Sequence, residues 1–333
     1  MHIVDGPLSP EVCLGTGLLA AGAVGYSIHR LKDGLADRTV PLTGMMSALV
    51  FAGQMVNFPL IGAPVSGHLI GGVLAAVILG PWAGCLAITL VLMVQCLLFY
   101  DGGFSALGAN ILNMGVVGSI GGYAVYAVCR RFIGRGVGST VVAAVVASWL
   151  SVMAAAFLFC IEFRLFHGSS DLDFGKVFAL MVSFHSLIGI GEALITGTVI
   201  SFVVRQRPDL IYSPDEHTSG TLAGAGRFVT AGCIAAMAVA AFVAPFASGH
   251  PDGLEAVAHE TEFDSLQADF PALLLDEYAI PSPVEGWQES MLWQRLSVSL
   301  AGILGTVSVF VMAIGFGNAL KPLATPAGAG HAE

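Results

Sequence analysis

Apolar runs of about 20 residues recur along nearly the whole chain, bounded by charged residues or by Gly and Pro. Runs of this length predict membrane-spanning helices, because about 20 helical residues cross the hydrocarbon core of a bilayer. They do not fit a transmembrane barrel, whose strands alternate apolar and polar positions over about ten residues. The pattern predicts nine spans, at residues 11–28, 41–56, 68–79, 82–100, 106–128, 137–161, 177–204, 228–246 and 296–318.

The third predicted span is unusually short. It covers only residues 68–79 and is joined to the fourth by Gly80-Pro81. Such a segment cannot cross a bilayer upright, so it is predicted to reach partway or to tilt strongly. A count of eight spans therefore stays open beside the count of nine.

A polar stretch rich in Pro, Gly and Ser, residues 206–227, divides the chain and predicts a cytoplasmic linker. Before it lies a unit of seven helices, residues 1–205. After it lies a two-helix unit, residues 228–320, with an acidic outer loop at 247–291 and a tail at 321–333. The predicted fold is all-α and polytopic, a seven-helix bundle plus a two-helix C-terminal unit.

Composition agrees with a membrane protein. The chain is 56% hydrophobic and 11% charged with a mean hydropathy of +0.82, values outside the range of soluble proteins. No Lys or Arg precedes Arg30, so the basic leader of a signal peptide is missing and the first helix is expected to be retained. The six cysteines form no C-x-x-C pair and are interpreted as packing residues.

The basic residues predict an orientation. With the N-terminus outside, only Arg164, Lys176 and Arg295 of the 13 Lys and Arg residues fall outside. The rest face the cytoplasm, as the positive-inside rule requires. We therefore expect a multi-pass protein of the inner cell membrane with an extracytoplasmic N-terminus and a cytoplasmic C-terminus.

The chain begins with Met1-His2, a sequence that can chelate a metal. The amine of Met1, the backbone nitrogen of His2 and the imidazole of His2 can close a five- and a six-membered ring on one ion. A planar set of nitrogens suits Ni(II), Cu(II) or low-spin Co(II) better than zinc or magnesium. The alternative is an ordinary disordered terminus.

A loop between the second and third spans, residues 57–68, contains two prolines and two glycines and ends in His68. These residues restrict and shape the backbone, so the loop can fold back over the membrane domain. His68 is placed at the start of the third span, where the helix dipole disfavours a positive charge. A neutral imidazole there can supply a fourth nitrogen.

At this point the sequence resembles a known family. The runs GAPVSGHLIGG, LLFYDGGFSALGANILNMG and HSLIGIGEALIT, with the MHI start, resemble the CbiM/NikM family. Its members are the substrate-binding components of nickel and cobalt transporters of the energy-coupling factor type. The resemblance covers residues 1 to about 210, and HPDGLEAVAHE further along resembles the two-helix CbiN/NikN component, fused here to the first.

The resemblance implies that Met1, His2 and His68 hold Ni(II), or Co(II), in a square-planar set of four nitrogens. The metal is cargo, so the resemblance implies no cofactor, no catalytic residue and no nucleic-acid partner. It implies a transmembrane coupling protein and cytoplasmic ATPases as separate partners, since this chain has no phosphate-binding G-x-x-x-x-G-K-[ST] motif. Cobalt import for cobalamin synthesis is the alternative to nickel import, because the ligands alone suit both ions.

Five polar residues are predicted to support the ligands. Asp5 is expected to hydrogen-bond the imidazole of His2 or the loop. Asn110 and Asn113 lie three apart at the outer end of a helix, where hydrogen bonding between helices is an equal alternative. The full set is Asp5, Asn57, Ser66, Asn110 and Asn113.

Other polar residues receive simpler interpretations. Asp101 is predicted to cap a turn or helix. The acidic segment 250–262 is predicted to be a solvated face, with loose collection of metal as the alternative. His185 and Glu192 share a helix face and would serve an intramembrane metal-dependent hydrolase, a distant alternative because H-E-x-x-H and G-x-S-x-G are both missing.

Overall fold

The architecture is taken from a computed structural model of the chain. It describes residues 1–32, 38–134, 136–166, 172–214, 222–268, 275, 278, 280–282, 284 and 286–321. For residues 166 and 222–225 it describes the backbone alone. Arg135, part of the predicted linker and the tail beyond Lys321 lie outside the described residues.

Each of the nine predicted spans corresponds to a helix, and the all-α polytopic fold is confirmed. Within the described residues, seven helical segments are long and apolar enough to cross a membrane, and α2 and α3 are shorter. The helices are α1 Pro10–Lys32, α2 Thr39–Gln54, α3 Gly72–Leu79, α4 Pro81–Val94, α5 Leu107–Asn110, α6 Gly122–Ile133, α7 Val137–Phe166, α8 Phe174–Gln206, α9 Leu222–Ala238, α10 Gly253–Thr261 and α11 Met291–Leu320.

The helix α3 is the short buried segment that the sequence predicted. It has eight residues, all of them buried, and passes directly into α4 at Gly80-Pro81. Its first residue, Gly72, lies against the backbone of Gly118, where an added Cβ would come within 2.5 Å of the carbonyl carbon. Gly118 belongs to the π-helical stretch Ile111–Gly121, which joins α5 to α6 in one continuous span. The absence of a side chain at Gly72 therefore lets α3 enter the core.

The second unit packs against the first through α2. Ala48 and Ala52 of α2 form a buried cluster with Ala236 and Ala240, and Phe310 of α11 packs against that cluster. Small side chains on both helices allow their backbones to approach closely, which drives helix association in lipid. The predicted boundary at residue 227 shifts, because α9 already begins at Leu222.

The loop between α2 and α3, residues 57–68, contains a short hairpin. Its strand β1 Phe58–Pro59 pairs antiparallel with β2 Ser66–Gly67. The tip of the hairpin is exposed, with Ile61 at 99% exposure, whereas β2 is buried. The hairpin therefore carries the chain back into the protein just before His68.

Candidate metal-binding site

The N-terminal segment is buried in the protein. Met1 is 5% exposed and Ile3 is 1% exposed. Asn110 holds the backbone of Ile3 from both sides: its Oδ1 accepts from the Ile3 amide at 2.8 Å and its Nδ2 donates to the Ile3 carbonyl at 3.0 Å. The amide of Gly103 also donates to the Ile3 carbonyl, at 2.9 Å. The first residues are therefore fixed by the loop before α5 and by α5 itself.

Asp5 supports this arrangement in a way that differs from both of its predicted roles, which were a bond to the imidazole of His2 or to the loop 57–68. Its carboxylate accepts from the amide of Phe104 at 2.9 Å, from the amide of Ser105 at 2.7 Å and from the Ser105 hydroxyl at 2.5 Å. The Tyr100 hydroxyl donates to it at 3.2 Å. Asp5 thus organises the loop between α4 and α5 and makes no bond to the imidazole of His2 in the structure.

The exit of the hairpin loop is pinned by buried polar groups. The two carboxylate oxygens of Glu192, on α8, accept from the amides of Ile70 and Gly71 at 2.6 and 2.9 Å. Gln54, at the end of α2, donates to the carbonyl of Ile70 at 2.9 Å. Because buried backbone groups need partners, these bonds fix the path of the chain just after His68.

The sequence predicted His68 at a helix N-terminus, and this prediction was wrong. The helix α3 begins four residues later, at Gly72. Burial and the nearby N-terminal ammonium lower the pKa of His68, which favours the neutral imidazole. Its Nδ1 faces the Leu69 carbonyl at 3.0 Å and must donate to it, since a carbonyl only accepts. The lone pair of Nε2 is left facing the amine of Met1 at 2.5 Å.

His2 is held by an acid that the sequence assigned to capping. Its Nδ1 donates to Asp101 at 2.5 Å, and the hydroxyl of Tyr278 donates to the other carboxylate oxygen at 2.6 Å. Burial alone would raise the pKa of Asp101, but the charge and hydrogen bond of His2, with the Tyr278 bond, lower it to about 2. The Nε2 of His2 is buried without a hydrogen-bond partner among the described residues. Its ring stacks on that of His68 with centroids 5.0 Å apart.

Asp252, from the second unit, lies at the amine. Its Oδ2 accepts from the Met1 ammonium at 2.6 Å and is 3.6 Å from Nε2 of His68. Burial would raise the pKa of Asp252, but the ammonium and His68 hold it well below the usual range. The other oxygen, Oδ1, caps α10 by accepting from the amides of Leu254 and Glu255, both at 2.8 Å.

The segment that carries Asp252 is docked on the first unit. Ser66 donates its amide to the Pro251 carbonyl and its hydroxyl to the His250 carbonyl, both at 2.8 Å. Gly253 lies against Ile188 of α8, where an added Cβ would come within 2.5 Å of the side chain. A residue with a side chain at position 253 would therefore require either the Ile188 side chain or α10 to shift.

The structure brings Met1, His2 and His68 together at one end of the bundle. Within the described residues, no group of three or more His, Cys, Asp or Glu side chains is arranged to hold a metal, so the amine is needed to complete this set. Amine and imidazole nitrogens with neutral lone pairs are ligands for Ni(II) and related ions. The arrangement can therefore hold a divalent cation if the amine gives up its proton.

The predicted supporting residues divide into two groups. Asn110, Asp5 and Ser66 make the bonds described above. Asn113 instead donates to Glu162 of α7 at 2.9 Å, the interhelical alternative, and makes no described bond to the N-terminal segment. Asn57 contributes its backbone carbonyl, which accepts from the amide of Ser248 at 2.8 Å.

The prediction for the acidic segment was partly wrong. Glu255, His259, Glu260 and Glu262 are exposed, as expected of a solvated face. Asp252 is not, because it pairs with the ammonium. One sequence feature could have predicted a helix here, since Asp252 and Glu255 have the spacing of a capping box, and the structure forms that box.

His185 and Glu192 do not form a joint metal site. The Nδ1 of His185 donates to the carbonyl of Met181 at 2.9 Å, one turn earlier on the same helix. Both oxygens of Glu192 accept from the backbone after His68. The pair therefore gives no structural support to the hydrolase alternative.

Replacing Asn110 by alanine tests its positioning role. We expect N110A to weaken binding of a divalent cation about tenfold, the effect typical of groups that orient metal ligands, because Ile3 loses its two bonds to Asn110 and keeps only the one from Gly103. N113A is the matched control, since Asn113 bonds to α7 and its loss should leave the affinity unchanged. Isothermal titration of both variants gives the comparison, and equal losses in the two would contradict the role of Asn110.

Comparison with known proteins agrees with this architecture. Residues 2–210 match the CbiM family, described as a cobalt uptake substrate-specific transmembrane region, and residues 226–322 match the PDGLE domain. A NikMN relative from Archaeoglobus fulgidus is 35% identical over 95% of this chain and 97% of its own length. The fused nickel transport protein NikMN of Rhodobacter capsulatus is 34% identical over 63% of this chain and 64% of its own. A crystal structure of a transition metal transporter is 30% identical with a TM-score of 0.54, covering 63% of this chain and 94% of that one.

The fold and the site define a multi-pass, all-α membrane protein whose N-terminus is built into a buried histidine site. The chain belongs to the CbiM family and carries a fused PDGLE domain, as proteins of the NikMN type do. The resemblance noted from the sequence motifs is thereby confirmed.

Proposed function

We propose that this chain is the substrate-binding component of an ATP-driven importer of the energy-coupling factor type, and that it captures Ni(II). The observation that carries the proposal is the buried amine of Met1, 2.5 Å from Nε2 of His68. A buried N-terminus beside a neutral imidazole has no evident purpose in packing. It is a suitable start for a nitrogen-only metal site.

The distances suit neighbouring ligands of one cation. Metal–nitrogen bonds of about 2.0 Å place adjacent ligands about 2.8 Å apart, close to the separation of the amine and Nε2 of His68. The amine of Met1 is the first donor and the backbone nitrogen of His2 is the second. Nδ1 of His2 is the third, and it closes a six-membered chelate ring with the His2 backbone nitrogen. Together with His68 these make the square-planar set of four nitrogens.

For Nδ1 of His2 to bind the cation, the ring must turn about its Cβ–Cγ bond, because Nδ1 faces Asp101 in the structure. A half-turn of the ring exchanges Nδ1 with Cδ2 and Nε2 with Cε1. The Nε2 atom then lies beside the ring position that Nδ1 occupies in the structure, the position that faces Asp101. Asp101 can then accept the Nε2 proton, as carboxylates do behind many metal-bound histidines. The Tyr278 hydroxyl keeps this carboxylate in place in both arrangements.

The site is proposed to face the extracytoplasmic side of the inner membrane. The helices that lead away from it end near most of the basic residues, and such residues concentrate in the cytoplasm. On this ground we propose a cytoplasmic location for the C-terminal tail, residues 321–333, and for the linker. The described basic residues at that end are Arg30, Lys32, Arg38, Arg130, Arg131, Arg205, Arg207, Arg227 and Lys321.

Relatives support nickel as the first choice of cargo. The relatives from Rhodobacter capsulatus and Lactiplantibacillus plantarum are named fused nickel transport proteins, whereas the one from Sorangium cellulosum is named a cobalt transport protein. Cobalt import is the alternative. The ligand-binding unit is assigned to residues 1–205, and the coupling protein and ATPases to separate chains, since this one lacks a phosphate-loop motif.

Isothermal titration of the purified chain, with an untagged N-terminus, tests the proposal directly. We expect one Ni(II) or Co(II) ion to bind per chain, and Mg(II) to bind far more weakly, because it prefers oxygen ligands. A chain that bound neither nickel nor cobalt would contradict the proposal. Tighter binding of cobalt than of nickel would favour the alternative cargo.

A further inference from the structure

Asp252 lies in the second unit, 251 residues from the amine with which it pairs. Three donor atoms meet there: the Met1 nitrogen, Nε2 of His68 and Oδ2 of Asp252, with separations of 2.5, 2.6 and 3.6 Å. The circle through these atoms has a radius of about 1.8 Å, and metal bonds to nitrogen and oxygen measure about 2.0–2.2 Å. One cation placed just outside their plane can therefore contact all three atoms at once.

We propose that Asp252 is a direct oxygen ligand of the captured cation, so that the second unit completes the capture site. This inference rests on the proposed function. It adds a fifth donor to the four nitrogens of Met1, His2 and His68. The site then belongs to both units of the fused chain and is incomplete in the first unit alone.

The position of Asp252 is fixed before any cation arrives. Its Oδ1 is engaged by the amides of Leu254 and Glu255, which leaves Oδ2 to face the amine. The turn that precedes it is held by Ser66, and Gly253 seats α10 on α8. A carboxylate held on both sides in this way loses little freedom when it binds a metal.

The fifth donor bears on the choice of cation. Four nitrogens in a plane favour low-spin Ni(II), whereas an added carboxylate oxygen favours higher coordination, which Co(II) accepts readily. Removing the oxygen should therefore weaken cobalt binding more than nickel binding. Asp252 would be the residue that lets one site serve both ions.

The test is X-ray absorption of the nickel-loaded full chain at the nickel edge. Planar four-coordinate nickel shows a resolved pre-edge feature that a fifth ligand suppresses. We expect the feature to be suppressed in the wild-type chain and to appear in D252N, where the neutral amide can still cap α10 through its oxygen. E255Q, altered on the same turn but away from the amine, is the matched control and should resemble wild type.

Titration of the same variants gives the second measurement. We expect D252N to bind Co(II) about tenfold more weakly, with a smaller loss for Ni(II). A wild-type spectrum with the planar feature, unchanged in D252N, would overturn the role of Asp252 while leaving the four-nitrogen site intact. Absence of any binding to the wild-type chain would instead overturn the proposed function, so the two failures are distinguishable.

Discussion

Two alanines placed ahead of Met1 should reduce nickel binding by about a thousandfold, because the extension converts the first ligand from an amine into an amide. Two residues are needed, because one would leave His2 third from the new amine, and an amine, two amides and a third-position imidazole can themselves hold Ni(II) in a plane of four nitrogens. The Met1 nitrogen is buried and lies 2.5 Å from His68 and 2.6 Å from Asp252. The added residues have no space there without displacing one of them.

The matched control for the extension is a chain with the same two alanines added after Glu333, which should bind nickel normally. Titration of both purified chains gives the affinities, and uptake of nickel by cells that also produce the partner proteins gives the transport rate. Full uptake by the extended chain would mean that the amine is not a ligand. The four-nitrogen site would then have to be abandoned.

Replacing His68 by alanine should weaken nickel binding by about a hundredfold, since it removes the only ligand that the loop contributes. The loop itself should keep its path, because Glu192 and Gln54 hold the backbone after His68 and not its ring. The amine would still pair with Asp252. The expected result is therefore a folded chain with a three-nitrogen site.

His250→Ala is the matched control for H68A, because the His250 side chain is exposed and only its backbone carbonyl contacts the loop. It should bind nickel as the wild type does. Titration and thermal unfolding of both variants separate loss of a ligand from loss of structure. Equal affinity of H68A and wild type would show that His68 does not bind the cargo.

The spans could be predicted from the sequence because their cause is local. A helix in lipid must satisfy its own backbone and present apolar side chains, and both requirements appear in each run of residues. The start of α3 could not be predicted in this way. It depends on bonds from Glu192 and Gln54 to the backbone around Ile70, and these partners lie 122 and 16 residues away in sequence.

In the site, too, features with a local cause could be predicted and features that depend on distant partners could not. Met1, His2 and His68 could be proposed from ligand chemistry and from the resemblance, since each carries a metal-binding group in a recognisable motif. The roles of Asp101, Asp252 and Tyr278 could not, because an acid in a turn or an acidic loop looks solvated until its partner is known. Their partners are 99 to 251 residues distant.

The pairing of the first residue with Asp252 also has a consequence for biosynthesis. Proteins are made from the N-terminus, so the first unit is synthesised and can enter the membrane before residue 252 has been translated. Until then the ammonium has no carboxylate beside it, and the site has only its nitrogen donors. The site is therefore completed only after the first unit has been made, and a ribosome that stops within α9 leaves a bundle that lacks the acid at its amine.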